Sequence, residues 1–388
     1  MADTSYAGDR PAASRTVSTI ASGHAAAAGR SRRFKWLLAL AIFITFDLIM
    51  FGAFVRVADA GLGCPDWPGC YGKVTPFGAL DQIRSEAQAR PHGPVTVFKA
   101  WVEMLHRYIA SGLGLLIIVL AVMAWRMRRD GPGSAGDGRH SADGLGGRPS
   151  FALAIVTLAW VILQGLFGMW TVTLRLQPAV VTSHLLGGMA LFALLLMQRN
   201  RVASQPAVGA GAARLHGWAM LALALVFLQI ALGGWVSSNY ATLACQDFPT
   251  CQGSWWPPMD IAAGFELWRP LGMTADGAGL PFPALTAIHY AHRLMAYVVL
   301  LVVGLLAWRM RRIAGLERIG RWLLVVLAAQ VVTGLTNIFL DWPAAAAVLH
   351  TGGATALVGL LLMLNFRSGA AGRAAPTPTM HSPVQPAL

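Results

Sequence analysis

Eight stretches of this chain are apolar nearly all round: residues 36–57, 100–124, 151–173, 180–198, 217–238, 285–308, 322–340 and 344–366. A membrane span needs roughly 20 such residues. Only a helix satisfies its own backbone inside lipid, so the pattern predicts an all-α integral membrane protein with eight transmembrane helices. Two of the polar connections are long, at 58–99 and 239–284. Segment 130–149 reads as flexible polar chain and 367–388 as a disordered cytoplasmic tail. Residues 1–35 also read as a disordered cytoplasmic tail, rich in Ala, Ser, Thr and Arg. In a eukaryotic source they would read as a transit peptide, against which Asp3 and Asp9 count. The first apolar run is too long and too poorly flanked for a cleaved signal and is read as retained.

Composition narrows the class. The 388 residues are 56% hydrophobic and 12% charged, where soluble domains carry about 25% charged residues. A soluble enzyme and a disordered chain are both excluded. The net charge of +13 is explained by where the basic residues lie. The two tails and the connections at 125–149, 199–216 and 309–321 hold 21 of the 30 Lys and Arg, and the other four connections hold six. Basic residues stay on the cytoplasmic side. Both termini are therefore expected in the cytoplasm of a bacterial inner membrane, with the long loops in the periplasm. The charge is topology and no nucleic-acid site. The lipid bilayer is the expected surrounding partner, and self-association into a homo-oligomer stays open.

The chain is written twice. Residues 46–70 align without a gap to 227–251, which sets Gly52 on Gly233, Cys64 on Cys245 and Cys70 on Cys251. Leu105–His106–Arg107 corresponds to Ala291–His292–Arg293, and the sequence AWRMRR ends two helices, at 124–129 and 307–312. Gly165–Leu166 is matched to Gly334–Leu335, and His184 to His350 with the following glycines shifted by one. Four spans per half make the repeats parallel. Two four-helix bundles, 36–198 and 217–366, are expected about a pseudo-two-fold along the membrane normal, with 199–216 as a cytoplasmic linker.

Each half places one histidine on its second span and one on its fourth: His106 and His184, then His292 and His350. Each lies about one to two turns from the periplasmic end at about 1.5 Å rise per residue. A lone intramembrane histidine is more often a packing residue than a ligand. Four ionisable groups at one depth are costly in lipid and read as functional. Two imidazoles offered by facing helices at one level make a bis-His haem iron site. Gly112, Gly114, Gly187, Gly188, Gly352 and Gly353 leave room along these helices, although small residues also serve plain helix packing. Zinc, the rival metal, would draw on cysteine, and the cysteines here sit in loops. Arg56, Arg107 and Arg293 either snorkel to the surface or pair with haem propionates.

The halves differ three residues before the second-span histidine, where Glu103 faces His289 in the alignment. A carboxyl group there either relays a proton beside the site or pairs with Arg107 one turn on. His289 either hydrogen-bonds beside a cofactor or packs. Both long loops carry a C-x5-C pair, Cys64/Cys70 and Cys245/Cys251. An oxidising periplasm makes a disulfide within each loop the leading expectation, and thiol exchange with an assembly factor stays open. Aromatic and proline clusters such as 254–258 read as an interfacial belt or lid.

With these residues assembled, the chain resembles the haem A synthase family of cytochrome oxidase biogenesis. The carriers are the run 61–70 (GLGCPDWPGC), Glu103-Met104-Leu105-His106-Arg107, His184, His292-Arg293 and His350. The resemblance covers residues 36 to 366. It implies oxidation of the C8 methyl group of the substrate haem O to a formyl group, by two hydroxylations and loss of water. It implies haem b on His292 and His350, the substrate haem on His106 and His184, and Glu103 beside the substrate. Haem O synthase and cytochrome oxidase assembly factors are the partners it suggests. The second cysteine pair is not a feature of every family member. The rival readings are a bis-His di-haem electron carrier and a non-enzymatic haem transporter or chaperone.

Overall fold

The computed structural model describes residues 13–129 and 147–374, with side chains from residue 28 to 371 apart from residues 130–146 and 210. Eight long helices carry the chain: α1 (Ala13–Val57), α3 (Val97–Arg129), α4 (Phe151–Thr173), α5 (Pro178–Val202), α6 (His216–Ser238), α8 (Phe282–Met310), α9 (Glu317–Phe339) and α10 (Ala344–Ala374). Each contains a stretch long and apolar enough to cross a membrane. Two short helices, α2 (Leu80–Ala89) and α7 (Ile261–Gly264), lie in the long connections. Among the described residues there is no strand, only three isolated bridges.

The expected spans and the observed helices agree, and the ends differ for local reasons. α5 starts at Pro178, with the Gln177 side chain accepting from the Val180 amide at 2.9 Å. Proline at the first helical position costs no hydrogen bond. Ser150 caps α4 in the same manner. α1 is already helical at Ala13, within the segment read from sequence as a tail, and residues 1–12 lie outside the described residues. α10 likewise continues past 366 to Ala374, and residues 375–388 lie outside them. So do residues 130–146 of the stretch read as flexible.

The duplication reaches into the backbone. The eight non-glycine residues with positive φ fall into four pairs: Asp59 with Tyr240, Tyr71 with Gln252, Arg175 with Asp341 and Leu176 with Trp342. The first two pairs keep a spacing of 181 and the last two a spacing of 166. They are helix ends and loop turns, where a left-handed residue lets the chain reverse. Helix contacts repeat too. α1–α3, α3–α4, α4–α5 and α1–α5 in the first half have their counterparts in α6–α8, α8–α9, α9–α10 and α6–α10. The halves meet through α1, α5, α6 and α10. A large apolar core at this junction takes in Ile49, Met189, Phe192, Val226, Leu327 and Val358.

Close helix approach at the α8–α9 turn depends on Gly320. A Cβ there would lie 2.8 Å from the Ala307 carbonyl oxygen and 3.0 Å from the Met310 Cβ. Gly320→Val is expected to destabilise the protein by about 1–3 kcal/mol through overpacking. Thermal unfolding of the detergent-purified variant, followed by far-UV circular dichroism, measures the loss.

Candidate functional site

The two cysteine loops are built alike. Cys64 is bonded to Cys70 and Cys245 to Cys251, as expected. Asp66 accepts from the amides of Tyr71 and Gly72 at 2.6 and 2.7 Å. Asp247 accepts from those of Gln252 and Gly253 at 2.6 and 3.0 Å. The Thr250 hydroxyl, then the Gly253 and Gln252 amides, hold the Asp247 carboxyl at about 2. Its folded value lies below the ordinary 3.8, so its stabilising contribution is complete at neutral pH and is lost as pH falls through about 2.

An arginine from the second span of each half fastens each loop. Arg107 Nη1 donates to the carbonyls of Asp66 and Gly69, both at 2.8 Å, and Nη2 to Glu103 Oε1 at 2.5 Å. Arg293 Nη1 donates to the carbonyls of Asp247 and Thr250 at 2.7 and 2.9 Å. Its Nη2 donates to the Cys245 carbonyl at 2.6 Å, and its Nε to His289 Nε2 at 3.1 Å. Their neighbours four residues back complete the anchor. Glu103, 4% exposed, also accepts from the Cys64 amide at 2.9 Å. His289 gives its other nitrogen to the Ala241 carbonyl at 2.9 Å.

The three arginines, read from sequence as either snorkelling or pairing with haem propionates, make contacts to protein groups. Arg107 and Arg293 spend their terminal nitrogens on loop carbonyls. Arg56 spans the two halves: Nη2 donates to the Ser237 carbonyl at 2.7 Å, and the guanidinium lies 3.9 Å from the centre of the Tyr240 ring. The Tyr240 hydroxyl in turn donates to Asp59 Oδ1 at 2.7 Å. Of the two roles weighed for Glu103, the ion pair with Arg107 is present in the structure. His289 is satisfied at both nitrogens by protein groups.

The four histidines occupy matching seats. His106 is nine residues into α3 and His292 ten residues into α8, deeper than read from sequence because both helices begin three residues earlier. His184 and His350 are each six residues into their helices. All four are partly buried. His106 and His184 are electrostatic neighbours, and so are His292 and His350. Each ring rests on a glycine of an adjacent helix. A Cβ at Gly52 would lie 3.2 Å from His106, at Gly168 3.3 Å from His184, at Gly233 3.0 Å from His292, and at Gly334 3.4 Å from His350. The match of Gly165 to Gly334 is corrected here. Gly168 is the counterpart, while Gly165 meets only open space. Gly187 and Gly353 also correspond, each packed against a glutamine of the neighbouring helix.

Those glutamines were missed from sequence. Gln164 Nε2 donates to the His184 carbonyl at 2.6 Å and Gln330 Nε2 to the His350 carbonyl at 2.9 Å. Gln229 Nε2 lies 3.1 Å from His292 Nδ1, where the aligned first-half residue is Leu48. Thr333 lies 2.9 Å from His350 Nδ1. An isolated polar residue in an otherwise apolar run was the signal that marks them. Imidazoles in pairs, with ring nitrogens held by neighbouring polar groups, suit a metal-centred macrocycle. The glycine seats let each ring approach the adjacent helix closely, where a side chain would displace it.

Fold and site together define a multi-pass helical membrane protein with one histidine pair in each of two similar halves. Residues 35–362 match the model of the COX15-CtaA family, described as cytochrome oxidase assembly proteins. The chain is 38% identical to a protein of Shewanella oneidensis named heme A synthase, over 85% of this chain and 95% of that protein. It is 26% identical to proteins of the same name from Allorhizobium ampelinum, over 89% of this chain and 94% of that one, and from Caulobacter vibrioides, over 86% and 94%. The chain belongs to the COX15-CtaA family.

Lysine cannot reproduce the fork by which Arg293 serves three carbonyls at once. Arg293→Lys is expected to cost about 2 kcal/mol in charge-assisted hydrogen bonds and to loosen the 239–284 loop. Faster limited proteolysis within that loop, with the rest of the chain intact, is the readout.

Proposed function

We propose that the chain is a haem A synthase, an oxidoreductase that converts the C8 methyl group of haem O to a formyl group. The observation that carries this reading is the pair of matched histidine seats, one per half, in a chain whose family and relatives bear that name. The methyl group is hydroxylated twice and the geminal diol loses water. His292 and His350 hold haem b, and His106 and His184 hold the substrate. Bound haem iron supplies the redox chemistry. The chain itself positions both groups, closes the outer face with two disulfide-bonded loops, and keeps bulk water out. The halves are related by a pseudo-two-fold along the membrane normal, with the domain limits 36–198 and 217–366. The protein sits in a bacterial inner membrane with cytoplasmic termini and periplasmic cysteine loops.

Glu103 lies one turn outward of His106 on the same helix and is the one acidic group that the second half replaces by histidine. Its carboxylate, fixed by Arg107 and the Cys64 amide, stands ready to accept a proton or to stabilise positive charge developing on the oxidised methyl group. A pure electron carrier has no use for this difference between the halves. A relay across the membrane would also set its histidine pairs at two depths, and these lie at matching levels. A transporter built from parallel repeats would hold its ligand near the midplane.

Expression beside a haem O synthase, in cells lacking their own haem A, separates the readings through the extracted pigments. Haem A is expected. Unaltered haem O would support a transporter, and haem b alone an electron carrier. Glu103→Gln keeps an acceptor for the Cys64 amide while removing the charge. It is expected to lower haem A formation by about 10²–10⁴-fold, the usual worth of a positioned acid or base, while bound haem b is retained. Glu103→Ala is expected to abolish product and loosen the first loop as well. Product at the normal level in Glu103→Gln would refute the assignment.

A further inference from the structure

One acidic side chain stands in the middle of a span and has no task in the function described above. Asp47 lies ten residues from Val57 and eleven from Trp36, at the centre of the first apolar run. At about 1.5 Å rise per residue it is about 15 Å from either end. α1 turns its packing face the other way, where Ala41, Thr45 and Ile49 are buried. Trp36, Leu40 and Phe43 are 73%, 46% and 62% exposed, and Asp47, exposed as they are, continues their stripe at helical spacing. That face of α1 meets lipid.

Nothing in the chain answers the charge. Asp47 makes no hydrogen bond or ion pair among the described residues. Its side chain is too short to reach water from the middle of a span. The nearest cations along the chain are Arg56 and Lys35, nine and twelve residues away. Arg56 is held by the Ser237 carbonyl and the Tyr240 ring. Arg107 and Arg293 are spent on loop carbonyls. The duplicate shows the ordinary solution: Leu228 stands at the equivalent place on α6, 46% exposed.

We propose that this face of α1 is a docking surface for a partner transmembrane helix that carries a lysine or arginine near its own midpoint. A carboxylate and a cation are each costly at that depth, and pairing them away from water compensates both. Specificity follows from the same cost, because an apolar helix seated there leaves the carboxylate bare. Phe43 one turn inward and Leu40 two turns inward supply apolar contact beside it. A second copy of this chain is a poor match. Among the described residues no Lys or Arg stands at mid-span, and a symmetric contact would set Asp47 against Asp47. Phe51, one turn outward, has its ring 5.8 Å from that of His106, so a helix seated on Asp47 borders the first-half histidine seat. The docking surface is independent of what that histidine holds.

The test reconstitutes the full chain, with a fluorescent donor at its C-terminus, in phosphatidylcholine vesicles, whose headgroups carry no net charge to compete. The probe is an acceptor-labelled Leu-Ala peptide of about 20 residues with one central lysine, and the control has a central leucine. Energy transfer is expected to show the lysine peptide bound about tenfold more tightly than the leucine peptide. Asp47→Leu, which copies the second half, is expected to erase that preference, and Asp47→Glu to retain it. Equal binding of the two peptides by the unaltered chain, or a preference that survives Asp47→Leu, overturns the proposal. Energy transfer between two copies that Asp47→Leu abolishes, with no preference for lysine, gives the face to a second copy and overturns it as well. If the leucine variant does not assemble, the two peptides compared on the unaltered chain and on Asp47→Asn decide. Loss of the preference in asparagine supports the ion pair, and its persistence there overturns it.

Discussion

Lipid offers no hydrogen bonds, so each polar group within this bundle needs a partner from the protein itself. Glu103 and Arg107 neutralise one another and divide their remaining capacity between loop amides and carbonyls. Arg293 finds no carboxylate at the corresponding place and takes His289 and three carbonyls instead. Each of these side chains is both a member of its helix and the anchor of the loop above it. The outer loops are thereby tied to the depth and rotation of the histidine-bearing helices, one turn from the imidazoles.

The same constraint shapes the seats. An imidazole laid on a glycine brings two helices close and leaves its ring nitrogens to polar neighbours such as Gln164, Gln229 and Thr333. Duplication supplies the frame twice, down to the positive-φ residues at the helix ends. Near the seats the copies part at a few positions: Glu103 against His289, Leu48 against Gln229, and Phe167 against Thr333. All three alter hydrogen bonding around the sites and leave the packing scheme intact.

The junction of the halves uses the repeat differently. Arg56 reaches Ser237 and Tyr240 reaches Asp59, so residues that align with one another across the duplication touch in space. Equivalent positions of the two copies are brought together here, and small changes at them make the contact a complementary one. A cation, a carboxylate and a phenol here replace what a perfect duplicate would have made a pair of like groups.

The number of spans, the all-helical class, the duplication and the four histidines were legible in the chain, because apolar length and ionisable residues in lipid leave few alternatives. A disulfide within each long loop was the leading expectation from a C-x5-C pair placed on the oxidising side. Arg107 and Arg293 were visible as candidates but not in their task, since which carbonyls a guanidinium meets depends on how a loop folds back over its helix. Gly168 was displaced by Gly165 in the alignment, because two glycines one turn apart look equal in a string, and only the packing of α4 on α5 shows which of them meets the imidazole. Gln164, Gln330 and Thr333 went unnoticed because their partners lie on the next helix. Local sequence determined which segments span and which residues are costly to bury. Only the packing of one helix against the next decided which of them meet, because those contacts join residues far apart in the chain.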